Sequence, residues 1–196
     1  MLFLIRYYLN IVTINFNPPN ISIVYLQRMQ KYFDNHKAKG LVIGLILSVI
    51  LFIAAQTGGF EGLKKSTNFQ FFTVLIGAGL AAFAFANTKP KQYTFGNIFA
   101  HGFKTIGVAI IVVIAFLIID HFVLHPNLRN EAFADFQQQL DNVPDTEFDK
   151  ARKLEQFNTY KNKYLVMGRI SPTLLLYCAI GALGALLGAA FSPKKD

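Results

Sequence analysis

Apolar residues along this chain fall in long uninterrupted blocks rather than in helical or alternating stripes, and nearly all the charge lies between the blocks. Blocks of that kind predict membrane-spanning helices. The first covers about 40–56 with Ser48 as its only polar interior residue, and Gly58 and Gly59 supply a turn after it. The second covers about 69–86 and ends at Asn87, Lys89 and Pro90. At 1.5 Å per residue each is about 25 to 27 Å long, a little short of a hydrocarbon core of about 30 Å. Flanking Lys37, Lys39 and Lys89 make up the difference by snorkelling. The third block is extended to about 104–124, which puts Asp120 and His121 in its last turns and lets Pro126 stop it. Before it, Phe95, Ile98, Phe99, Gly102, Phe103 and Ile106 recur at helical spacing, an amphipathic lead-in expected to lie in the headgroup plane before the chain turns into the span. The fourth block covers about 171–191, where Ser171 before Pro172 has the form of an N-cap with proline at the first helical position.

A polar stretch separates the third and fourth blocks. Leu128, Ala132, Phe136 and Leu140 recur every four residues, and after Val143-Pro144-Asp145 the helical pattern resumes. Thr146 with Asp149 has the form of a capping box, and Asp149 with Lys153 is a favourable (i, i+4) pair. The expectation is an all-α integral membrane fold of four transmembrane helices, with an extramembrane helical hairpin at about 127–165. That hairpin carries as many acidic as basic residues from Arg129 to Arg169, which suits a docking element or a stiff connector better than a nucleic-acid or anionic-lipid surface.

The domain plan is one membrane domain over 29–196 preceded by an extension over 1–28. The extension is broken by Pro18 and Pro19, has Arg6 inside its apolar stretch, and matches neither a signal peptide nor a span. Met29 opens a basic lead-in directly before the first block and is expected to be the native start.

Composition agrees with bilayer burial. The chain is 53% hydrophobic with mean hydropathy +0.38 and 15% charged, against about 25% charged in soluble domains. The net charge of +8 resides in lysines at block ends and not on one basic face, so no nucleic-acid partner is implied. Those lysines set orientation. Lys31, Lys37, Lys39, Lys89, Lys91, Lys104, Lys194 and Lys195 fall on one side against Lys64 and Lys65 on the other, so both termini are expected in the cytoplasm of a cell with an inner membrane. The partners expected are the lipid bilayer and a second copy or another membrane protein.

Chemistry is sparse. The middle of every predicted span lacks charge, which weighs against proton-coupled transport. No phosphate loop, nucleophile elbow, HExxH or haem-attachment motif is present, so neither an enzyme nor a cofactor is expected. Cys178 is the sole cysteine and excludes an intrachain disulfide. Gln56, Thr73, Thr173 and Tyr177 read as interhelical hydrogen-bonding residues, and His36 and His101 as isolated interfacial ones. Small residues at four-residue spacing mark helix-packing faces: Gly40 and Gly44 with Ser48, Gly77 with Ala81, Ala78 with Ala82 and Ala86, and Gly184 with Gly188 beside Gly181. They serve either one bundle or a dimer face. Asp120, His121 and His125 are the one cluster of ionisable groups at a span end, open to two readings: a weak metal or proton site, or a polar interfacial helix end before Pro126.

Several local sequences carry a family likeness. They are Phe95-Gly96-Asn97-Ile98-Phe99-Ala100-His101-Gly102-Phe103-Lys104, the His125-Pro126-Asn127-Leu128 exit from the third block, the charged hairpin, and the glycine-rich last block ending in lysines. In these the chain resembles a bacterial family of small integral membrane proteins catalogued as domain of unknown function 4199. The resemblance implies an inner-membrane location, no assigned activity and no catalytic or binding residues.

Overall fold

The computed structural model describes residues 35–88, 93–142 and 147–192, with side chains of 147–150 left aside. Residues 1–28, Met29, Lys31, Lys89 to Lys91, Thr146 and the terminal lysines lie outside the described residues, as do the side chains of Asp149 and its pairing with Lys153. The described residues form helices only: α1 (His36–Thr88), α2 (Phe95–Ile119), α3 (Leu128–Asp141), α4 (Glu147–Asn162) and α5 (Ser171–Ala190). Two π-helical stretches join them, Asp120–Leu124 after α2 and Tyr164–Ile170 before α5.

Among the described residues, three helical runs are long and apolar enough to cross a membrane: α1 with 53 residues, Phe95–Leu124 with 30 and Tyr164–Ala190 with 27. A straight helix of α1's length would reach about 80 Å, far beyond a bilayer. It does not run straight. Gly59 has φ 56° and ψ −138°, a left-handed conformation that interrupts the helix. Lys39 Nζ in the arm before it reaches the carbonyl of Ala81 in the arm after it at 3.3 Å, and Gly77 faces Ile43. The two arms therefore lie side by side. Where a loop is expected between the first two apolar blocks, the turn is confined to Gly59 and residues 60–68 are already helical, with Lys64 bonded to Glu61 one turn back at 2.9 Å.

Two further expectations are corrected. The amphipathic lead-in does not lie apart from the third span: α2 runs unbroken from Phe95, capped by Thr94 accepting from the Asn97 N–H, and Ile98, His101 and Gly102 are buried in the bundle. Nor does Ser171 cap a helix. It has helical dihedrals and follows directly on the π-helical stretch, so the last helical run begins at Tyr164.

Close backbone approach builds the bundle. A Cβ at Gly40 would run into the Thr105 carbonyl, and one at Gly44 would come within 2.7 Å of Val112 Cβ, both on α2. A Cβ at Gly181 would sit 2.7 Å from Ile106 Cγ2, while Gly184 and Gly188 abut the backbones of Leu75 and Gly79. The four-residue stripes are thus filled within one chain, where van der Waals packing rather than water exclusion joins apolar helices. Leu47, Val74, Ile106, Val113 and Tyr177 fill the centre. Outward, Val49, Phe72, Ile76, Leu80, Ile111 and Leu175 are more than half exposed, the surface of a membrane protein facing hydrocarbon.

Helices α3 and α4 touch through rings, Phe136 stacking on Tyr160 with centroids 4.3 Å apart. The α3 helix also grips the turn of α1. Glu131 Oε2 accepts from the Phe60 N–H at 2.8 Å, and Asp135 Oδ1 accepts from Lys64 Nζ at 2.8 Å. Phe60 starts the second arm, so Glu131 supplies a carboxylate to a helix N-terminus from a distant part of the chain.

Candidate functional site

The site begins with the π-helical geometry. In an ordinary helix the ring-bearing pair on one face would be His121 and His125; with i+5 bonding the face rotates. The His125 N–H donates to the Asp120 carbonyl at 2.8 Å, and this register aligns Asp120 with His125. His125 Nδ1 then lies 2.6 Å from Asp120 Oδ1. The second π-helical stretch does the same for Tyr164 and Arg169. Arg169 Nη2 meets Asp120 Oδ2 at 2.7 Å, an ion contact without the alignment of a hydrogen bond.

Asp120 is 0% exposed, Tyr164 2% and Arg169 7%, so the cluster is interior. This corrects the picture of a polar helix end at the interface. A buried carboxylate is tolerable only when paired, and Arg169 supplies the partner. His121 is not part of the pair. Its ring packs on Phe122 and Tyr164, with centroids 4.7 and 5.8 Å away. Asp120, His121 and His125 therefore do not converge as a metal site would, and among the described residues no three His, Cys, Asp or Glu side chains gather around one point. Both oxygens of Asp120 already face cations or donors.

Four buried polar atoms of the cluster lack a hydrogen-bond partner: Asp120 Oδ2, which has only the ion contact, His125 Nε2, Tyr164 Oη and Arg169 Nη1. An aspartate orienting a histidine has the form of a general base, and among the described residues no hydroxyl or thiol is bonded to His125 Nε2. Beside the cluster opens a cavity of about 250 Å³, with Lys64, Thr67, Gln70, Tyr164, Arg169 and Tyr177 in its wall. Tyr177 Oη donates to Gln70 Oε1 at 2.7 Å and Gln70 Nε2 donates to Ser66 Oγ at 2.7 Å, a closed interhelical network. Thr73 and Thr173 instead bond back to their own helices, at Phe69 and Arg169, and Gln56 is exposed.

The opposite end of the bundle holds His101, which is not isolated. It stacks on Phe85 with centroids 4.0 Å apart, meets His36 edge-on at 5.8 Å and has Lys39 Nζ 3.2 Å from Nε2. On the hairpin, burial first and Asp135 second push the Tyr160 phenol above its usual range.

A family model described as Protein of unknown function (DUF4199) matches residues 38–194, which takes in every helix of the bundle from the first arm of α1. The chain belongs to that family. No curated protein and no solved structure matches it. For this DUF4199 protein the roles of Asp120, Arg169 and Tyr164 accordingly rest on geometry. Sequence reading missed Arg169 because it stands just before Ser171-Pro172, and missed Gln70 because it sits at the polar margin of an apolar block.

Proposed function

We propose that this is a non-enzymatic protein of a bacterial inner membrane, an anchor that presents a rigid helical hairpin to a membrane-protein partner or to a second copy of itself. In this reading each arm of α1 crosses the bilayer once, as do α2 and α5, and both termini are cytoplasmic by the lysine asymmetry. The hairpin then stands on the outer face, and nucleic acid is no partner. One observation carries the proposal: α3 is fastened to the α1 turn through both Glu131 and Asp135. A mere connector needs no such clamp, whereas a docking element gains from being held still. The outer face of α4 is left open, with Leu154 62% exposed.

The test is a photo-crosslinking residue placed at 154 and, as a lipid-facing control, at 175, in native membranes. A discrete adduct at 154 that is lost in the Glu131→Ala/Asp135→Ala double variant supports the proposal. Identical labelling at both positions, or none at 154, contradicts it.

A small oligomeric channel or transporter is the second reading, favoured by the polar wall of the cavity at Gln70 and Tyr177. Ser48, bonded to its own Gly44 carbonyl, is no part of that wall. Solute flux into liposomes carrying the purified protein, reduced by Tyr177→Phe, would favour transport over anchoring.

A further inference from the structure

A groove of about 670 Å³ runs between the two arms of α1 on the outside of the bundle. That size lies within the range of about 300–1,000 Å³ typical of sites that lodge a discrete ligand. Val42 and Ile46 of the first arm form one wall and Phe72, Ile76 and Leu80 of the second arm the other. Gly77 lies at the floor, where a Cβ would come within 3.0 Å of Ile43 Cδ1. The second arm lines the groove from Phe69 to Ala84, a rise of about 22 Å. One leaflet is half of a hydrocarbon core of about 30 Å, so an occupant can lie along the groove for the full depth of a leaflet.

The wall suits hydrocarbon. Its polar side chains are Lys39 and Thr73, and the Thr73 hydroxyl is donated to the Phe69 carbonyl of its own helix. A helix of a second copy fits poorly. Transmembrane helices meet through small residues at the surface, whereas here Gly77 and Ala81 are at the floor and the five bulky wall residues, each 47% exposed or more, stand at the rim. A slender chain enters between them where a helix about 10–12 Å across does not.

Charge narrows the choice of chain. Lys39 stands at one end of the groove, its Nζ 3.3 Å from the Ala81 carbonyl and 3.2 Å from His101 Nε2. Lys37, exposed, precedes it on the same arm. No Asp or Glu occurs in residues 35–60, 62–119 or 171–192, so among the described residues this end of the bundle carries cations without carboxylates. Lysines at headgroup level attract anionic lipid.

We propose that the groove between the arms of α1 binds one acyl chain of an anionic phospholipid lengthwise, with the phosphate of its headgroup at Lys37 and Lys39. The site rests on the reading that both arms of α1 cross the bilayer, and it stands whatever partner meets the hairpin.

The full chain is placed in phosphatidylcholine nanodiscs containing phosphatidylglycerol with a diazirine midway along one acyl chain, and labelled residues are read by peptide mass spectrometry. Leu45, 51% exposed on α1 and outside the groove, is the control. Label is expected to concentrate on residues 72–80, to saturate, and to be displaced by unlabelled phosphatidylglycerol in preference to phosphatidylcholine. Lys37→Gln/Lys39→Gln is expected to lower that preference about tenfold. Ala84→Phe, which narrows the groove, is expected to reduce its labelling without changing that of Leu45. Equal labelling of Leu45 and the groove, equal displacement by both lipids, wild-type behaviour of either variant, or adducts between copies in place of lipid adducts overturns the site and leaves the reading of α1 standing. Absence of label from α1 altogether overturns both.

Discussion

Arg169 Nη2 lies 2.7 Å from Asp120 Oδ2, which ties the approach to α5 to the end of α2. Both side chains are interior, so removing one leaves the other charged and alone. Arg169→Gln or Asp120→Asn is expected to cost about 3–5 kcal/mol, and the apolar pair Asp120→Leu/Arg169→Met to recover much of that. Unfolding in detergent checks it. Single variants as stable as wild type, or a double variant showing the sum of both losses, would contradict the pairing.

Gly184 and Gly188 press on the backbones of Leu75 and Gly79, which cannot move aside like a flexible side chain. Gly184→Ile and Gly188→Ile are each expected to lower stability by about 1–3 kcal/mol or more. Gly107 is the control: a Cβ there meets nothing within 4 Å, so Gly107→Ala should be neutral or stabilise by up to about 1 kcal/mol. Thermal unfolding of the three variants side by side distinguishes backbone contact from a general sensitivity to larger residues.

The turn of α1 depends on Gly59 and Glu131 together. Gly59→Ala forces a positive φ with ψ −138° on alanine, a sparsely populated conformation costing about 1–3 kcal/mol, and its Cβ would also meet the Glu131 carboxylate. Glu131→Ala frees the Phe60 N–H and is expected to cost about 1 kcal/mol, as loss of an N-cap does. A double-mutant cycle should show coupling between the two positions. Strict additivity would mean that Glu131 does not cap the second arm.

Divalent metal is a separate matter. Because the π-helical register turns His125 toward Asp120 and leaves His121 on Phe122 and Tyr164, calorimetric titration with zinc is expected to show no stoichiometric binding. One-to-one binding lost in both His121→Ala and His125→Ala would restore the three-residue metal site.

The spacing of Gly40, Gly44, Gly184 and Gly188 was legible because small residues on one helix face leave a direct imprint on sequence. The apolar blocks were legible for the same reason: hydrocarbon selects length and composition. The buried cluster was not. An i+5 turn has no hydropathy signature, so Asp120 and His121 looked like neighbours at a wet helix end and Arg169 looked like part of the connector. The continuity of α2 through residues 95–104 was obscured by its polar positions, Asn97, His101 and Lys104, of which His101 is buried against other helices. His101 appeared isolated because Lys39 and Phe85, which it meets, are remote in sequence.

The central claim is that α1 doubles back through the bilayer and that the hairpin stands on the face opposite both termini. Fusing a reporter active only in the periplasm after Pro144, after Gln92 and after Lys195 tests it directly. The account predicts activity after Pro144 and none after Gln92 or Lys195. Activity after Gln92, or silence after Pro144 with activity after Lys195, would contradict it.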